Sequence, residues 1–462
     1  MNRKMVMNFF VFIVCSLVSL IIVVKNTMDS YQLMFLLPIS FIVVYFVFLN
    51  KNINNFKEFG IPFTIVCFFR YVILPLLIVL SGRYGGRSIS PPTDNSFNLA
   101  FMIMIYEIFI CGMFFLFLAN KLSKKSNVLN RKSSNIVLPK SKLFYYIFFI
   151  ICGSFIILKP NVLNSFSFIL PNSSGYSYNN YNLYEQIIIL CIICAKNLFY
   201  ICCMSSLYKQ YLKKPTKIIV FVSLIIAIIN GVIYFGTNRF DFILCFITSF
   251  IVFGLFYKTE AKKITIPFLL IGFICFSSLT HFRNYQKLSD NTLYNLADEL
   301  QTYLGGPYNV AMSIEAAKTF PEGRNLKTLV YDFIRPTLGL NVIFKNINSI
   351  KLTSEYFNRR IYFSNHSTQI IPMIGEGYYL LGFIFAPLID IIFIAIAYFM
   401  KKININKNKI EIIFFFMITY IRLGFIMGQS ATIQMNDLSF NLFLPLIIIS
   451  INGLFSKRSL NK

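Results

Sequence analysis

The stretch FSNHSTQIIPMIGEGYYLLGFIFAPL, residues 363–388, changes character along its length. It opens polar, carries His366, one of only 2 histidines in the chain, and then sets Glu376 between Gly375 and Gly377. From there an apolar run continues to residue 400. Runs of about 20 apolar residues are what an α-helix needs to cross a bilayer. Working outward, the same kind of run recurs at 8–24, 32–49, 61–81, 97–118, 143–159, 184–206, 218–235, 241–257, 264–282, 373–400, 411–427 and 439–455. The chain is 56% hydrophobic and 13% charged, against about 25% charged for a soluble domain. The expected fold class is all-α: a polytopic membrane protein of twelve helices, nine within 1–282, a large extracytoplasmic loop at 283–371, and three within 372–462.

The net charge of +25 is an orientation signal and excludes nucleic acid as the reading. Basic residues concentrate in alternate short connections: Lys51 and Lys57, 121–142, 209–217, 258–263 and 401–409. Short Lys/Arg-rich loops stay on the cytoplasmic side, which places both termini there; the resemblance drawn below implies that the membrane is a bacterial plasma membrane. The 10 cysteines all fall in apolar runs, so neither a disulfide framework nor a thiolate metal site is indicated. The first run lacks a small-residue cleavage site and reads as a retained helix. No inverted repeat points to a transporter.

The segment 283–371 is too long for an ordinary connection and reads as functional. Ser289 and Asp290 are suited to cap a helix through Leu304, which Gly305-Gly306-Pro307 ends. Pro307 starts a second helix toward Phe320-Pro321, and a third runs Leu326–Ile334 before Pro336. Arginine is sorted differently from lysine. Arg70, Arg83, Arg87, Arg239, Arg283, Arg324, Arg335, Arg359, Arg360 and Arg422 all lie in outer loops or within runs. Guanidinium forms bidentate bonds to phosphate, but the same arginines have Asp290, Asp298, Glu299, Glu315, Glu322, Asp332 and Glu355 as available ion partners. Arg70, Glu107, Lys196, Asp390 and Arg422 are ionisable groups inside apolar runs, where a functional role and mutual pairing compete. The turn GTNRFDF, residues 236–242, leaves Arg239 at a membrane surface, facing either a lipid-linked anion or its neighbour Asp241.

The spans, the late outer loop, GTNRFDF and NHSTQIIPMIGEGYYLLGFIFAPL together resemble the Wzy-type oligosaccharide repeat-unit polymerases of O-antigen and capsule synthesis. The turn departs from the commoner Ser/Gly-rich version in Asn238 and Phe240. The resemblance implies a GT-C-like glycosyltransferase working on the outer face of the membrane. Its substrates would be undecaprenyl-pyrophosphate-linked oligosaccharides in the lipid bilayer, and a chain-length-regulating protein its partner. It implies no cofactor and no metal: arginines stabilise the pyrophosphate leaving group. Arg239, Arg283, Arg335, Arg359, Arg360 and Arg422 are the expected pyrophosphate and glycan ligands. His366 and Glu376 are the two candidates for the base that takes the acceptor hydroxyl proton, with Gly375 and Gly377 leaving room for a sugar. An O-antigen-type ligase and a lipid-linked oligosaccharide flippase are the alternatives.

Overall fold

The computed structural model describes residues 3–26, 29–82, 86–129, 136–139, 141–168, 181–236, 239–282, 291–344, 350–362, 369–404 and 408–458. In chain order the helices are α1 (Arg3–Lys25), α2 (Gln32–Leu49), α3 (Lys57–Leu80), α4 (Asp94–Leu129), α5 (Leu143–Leu158), α6 (Leu183–Lys213), α7 (Lys217–Val232), α8 (Arg239–Phe256) and α9 (Lys258–Phe282). They continue as α10 (Thr292–Leu304), α11 (Pro307–Thr319), α12 (Leu326–Ile334), α13 (Leu340–Phe344), α14 (Thr353–Tyr362), α15 (Met373–Phe385), α16 (Leu388–Asn404), α17 (Ile410–Leu423) and α18 (Ala431–Phe455). The chain is thus a nearly all-helical protein of membrane type. Each expected apolar run is helical over most of its length. Among the described residues, 5 helices (α2, α3, α4, α6 and α18) are long and apolar enough to cross a bilayer, or 6 with the bent pair α15–α16.

The chain groups into two compact units. The first comprises Met1–Ser133, Lys287–Ile403 and Tyr420–Ser439. The second comprises Ser134–Gln286, Asn404–Thr419 and Phe440–Lys462.

In the first unit an aromatic column joins α3 to α4. Phe56, Phe59 and Phe63 follow helical spacing, with ring centroids 5.3 Å and 5.4 Å apart, and Phe115 lies 6.2 Å from Phe56. Gly60 makes this approach possible, because a Cβ there would sit 2.9 Å from the Phe115 ring. The cap segment folds onto these helices. Asn291 is the cap of α10, its Oδ1 accepting from Leu293 N at 2.9 Å, and this corrects the expected Ser289/Asp290 cap, which lies outside the described residues. Gly305 ends α10 in the left-handed conformation (φ 61°), as glycine does at helix C-termini. Pro307 opens α11, whose residues 307–317 are all buried. Small side chains at Ala311, Ser313, Ala316 and Ala317 let neighbours pack around its whole circumference.

The run expected as one continuous span at 373–400 is broken. Between α15 and α16 the axis turns by 105°. Pro387 cannot donate a helical hydrogen bond, and Gly382 at φ 78° takes a conformation closed to most L-residues.

In the second unit the run expected at 218–235 is helical only to Val232. Ile233–Phe235 instead pairs antiparallel with Phe166–Phe168 in a two-stranded ribbon. Lys196, half-buried here, finds its partners in the backbone. Its Nζ donates to the carbonyls of Asn230 at 3.0 Å and Ile233 at 2.7 Å, which the end of α7 leaves free. This is a structural lysine.

Candidate functional site

A pair of acids stands where the cap rejoins the apolar helices of the first unit. Asp332 on α12 and Glu376 on α15 are both buried, and their carboxyl groups hydrogen-bond to one another. Each also faces a helix start. Asp332 accepts from Thr353 N at 3.2 Å and from Thr353 Oγ1 at 2.5 Å at the first residue of α14. Glu376 Oε2 accepts from Ala431 N at 2.7 Å at the first residue of α18. Helix N-termini favour negative charge, while two carboxylates in contact resist double ionisation. Burial pushes the Asp332 carboxyl up to about 7, against the opposing pull of the Thr353 hydroxyl and backbone N–H. Two-carboxylate glycosidases hold their acids about 5–9.5 Å apart with substrate between them. A pair in direct contact leaves no such space.

The glycines beside Glu376 serve packing. A Cβ on Gly375 would meet Ser313 Oγ of α11 at 2.3 Å, and one on Gly377 would meet the Ala386 carbonyl oxygen at 2.0 Å. Both positions are filled by protein, which corrects the expectation that they leave room for a sugar.

The candidate arginines divide by environment. Arg360 is buried, with Nη2 3.8 Å from Glu315 Oε2 and Nη1 donating to Ser90 O at 3.2 Å. Glu315 also accepts from Ser96 Oγ and, at 2.9 Å, from Thr93 Oγ1. Its carboxyl lies below its ordinary value: burial raises it, but these hydrogen bonds and the Lys318 charge together outweigh that. Arg422 is buried with Nε 3.8 Å from Asp437 Oδ1. Arg335 is partly exposed, 4.0 Å from Glu355 and over the Tyr331 ring. Arg359 is exposed, its guanidinium 4.9 Å from the Phe320 ring centroid. Arg239 is the first residue of α8 in the second unit. The Arg239 side chain, Arg283 and His366 lie outside the described residues. Thus the structure brings Glu376 together with Asp332, gives Arg360 and Arg422 buried acidic partners, and leaves Arg335 and Arg359 toward solvent.

Two further ion pairs fasten the cap. Arg87 forks onto Asp298 of α10, with Nε at 3.1 Å from Oδ1 and Nη2 closer still on Oδ2. Arg70, fully buried on α3, donates from Nη1 to Glu107 Oε2 at 2.7 Å and from Nε to Gly305 O at 3.0 Å. The expected mutual neutralisation of Arg70 and Glu107 is therefore what the structure shows.

In the sequence Asp332 stands out only as one of seven possible ion partners for the outer arginines. Its signal was present in LVYDFI, an acid flanked on both sides by apolar and aromatic neighbours on a short helix. A cavity of about 330 Å³ in the second unit is lined by Tyr211, Lys217, Phe221 and Glu260, among others, and none of the candidate residues borders it. Among the described residues no group of three or more His, Cys, Asp or Glu is placed to hold a metal ion. No family model, curated protein or solved structure matches the chain.

Proposed function

We propose that this chain is a membrane glycosyltransferase that polymerises undecaprenyl-pyrophosphate-linked repeat units into a surface polysaccharide, with twelve crossings and both termini cytoplasmic. The observation that carries the reading is the cap. A connection between apolar helices is here a folded platform, braced by the Arg87–Asp298 and Arg360–Glu315 ion pairs and by Arg70 on the Gly305 carbonyl, and carrying exposed arginine. A linker needs none of this; a catalyst for lipid-linked substrates needs a rigid polar surface beside the membrane.

Arg335 and Arg359 on the cap are pyrophosphate ligands in this reading; Arg239 and Arg283 are proposed for the same chemistry on the sequence pattern alone. Arg360 and Arg422 would have to abandon buried carboxylates to serve, leaving uncompensated charge behind. The acceptor hydroxyl proton goes to His366. Glu376, 1% exposed and bonded to Ala431 N and Asp332, holds the end of the cap in register instead.

The test is glycan analysis of a deletion strain complemented with variants. Arg239→Ala, Arg359→Ala and His366→Ala should each leave protein level intact while single repeat units accumulate on the lipid carrier. A normal ladder from Arg239→Ala removes the polymerase assignment. Free long chains in the deletion strain mark a ligase, and lipid-linked repeats confined to the cytoplasmic leaflet mark a flippase.

A further inference from the structure

Asp390 occupies the first turn of α16, just past the 105° break, and is completely buried. Neither of its carboxyl oxygens has a hydrogen-bond partner among the described residues. The titratable groups within electrostatic range are Arg70 on α3, Glu107 on α4, Cys67 on α3, Cys111 on α4 and Glu376 on α15. Arg70 gives Nη1 to Glu107 and Nε to the Gly305 carbonyl, while its Nη2 has no partner among the described residues. Glu107 spends Oε2 on Arg70 and Tyr71, while its Oε1 has no partner among the described residues. One guanidinium therefore stands against the buried carboxyls of Asp390 and Glu107, with that of Glu376 also in electrostatic range. A bare carboxylate is not tolerated there, so the enclosed set lacks one positive charge.

We propose that Asp390 is a proton-binding site, its carboxyl held as the neutral acid beside the Arg70–Glu107 pair. A proton satisfies the count with one oxygen. A metal cation such as Na⁺ or Ca²⁺ would need a shell of oxygen ligands, and among the described residues Asp390 and Glu107 belong to no group of three or more His, Cys, Asp or Glu placed to hold one. Broken membrane helices recur around ion and proton sites because the break brings a helix start to mid-depth. The site is independent of the glycan chemistry proposed above. It bears on it in one respect: protonation of Asp390 removes a negative charge that Glu376 would otherwise feel.

The experiment is infrared spectroscopy of the purified full chain in lipid nanodiscs at neutral pH. The wild type should show a protonated-carboxyl C=O stretch that Asp390→Asn loses and Glu376→Gln retains. Asn copies the shape and neutrality of a protonated Asp, so Asp390→Asn should fold and melt within a few degrees of the wild type. Superimposable spectra from wild type and Asp390→Asn overturn the proposal. So does failure of Asp390→Asn to fold, which would mean the charge itself is needed. A third overturning result is an unfolding midpoint that rises with NaCl, but not with choline chloride, in wild type alone: the missing charge would then be sodium.

Discussion

Arg70 ties α3 both to Glu107 on α4 and to the turn between α10 and α11, so its loss strands a buried carboxylate and a carbonyl together. Removing one member of a buried pair typically costs about 3–5 kcal/mol, whereas replacing both by apolar groups of similar volume is often neutral. Arg70→Met should therefore destabilise by about that amount, and Arg70→Met combined with Glu107→Leu should recover most of it. With the partly exposed Cys15, Cys191 and Cys203 replaced by serine, a thiol-reactive dye reads this through the buried cysteines, Cys67 on α3 and Cys111 on α4 among them, and the chain has no Trp to report instead. Asp332 gives a second residue-scale outcome with a defined sign. Its folded-state value is raised to about 7 from an ordinary 3.8. Between those values the folded chain holds a proton that the unfolded chain releases. The stabilisation is thus fully present below the lower value, falls as pH rises between about 4 and about 7, and is gone above. Thermal midpoints measured across that window should slope downward in the wild type and flatten in Asp332→Asn; equal slopes would show that the proton sits elsewhere.

At the scale of elements, apolar runs announced nearly every helix, because a bilayer-length run has few other ways to satisfy its backbone. What periodicity did not show was where such a run stops being one helix. The break before α16 is written in Gly382 and Pro387, and the end of α7 at Val232 only becomes intelligible once Phe166–Phe168 is seen pairing with the residues beyond it. Such long-range partners leave no local signature. Packing glycines are equally silent in a sequence. Gly377→Ala places a methyl 2.0 Å from the Ala386 carbonyl oxygen, a backbone atom that cannot rotate away. The expected loss is about 1–3 kcal/mol or more, read as a lowered unfolding midpoint. Gly153, inside α5, has nothing within 4 Å of its would-be Cβ. Gly153→Ala should hold or raise the midpoint by the helix-propensity gain of about 0.5–1 kcal/mol. A matched loss at both positions would mean that glycine flexibility, and not close approach, is what these helices use.

For the whole molecule, the two kinds of information in the sequence differ in reach. Arginine and lysine sorting located the polar face of the cap but not the partners within it, since Glu315, Asp298 and Asp437 reach their arginines across more than a dozen to over two hundred residues of chain. The same sorting does make one claim that no single contact carries: basic connections on the inner side, cap on the outer. Lys214 lies exposed in the basic connection after α6, and Lys327 lies exposed on α12 of the cap. Short basic loops resist translocation, so these two lysines should face opposite compartments. With native cysteines replaced by serine, Lys327→Cys should react with a membrane-impermeant maleimide in intact cells. Lys214→Cys should react only after permeabilisation. Equal labelling of both in intact cells would break the alternation on which the twelve crossings rest, and the opposite order would invert the molecule, putting the cap and its arginines on the side where no outer-face polymer can be made.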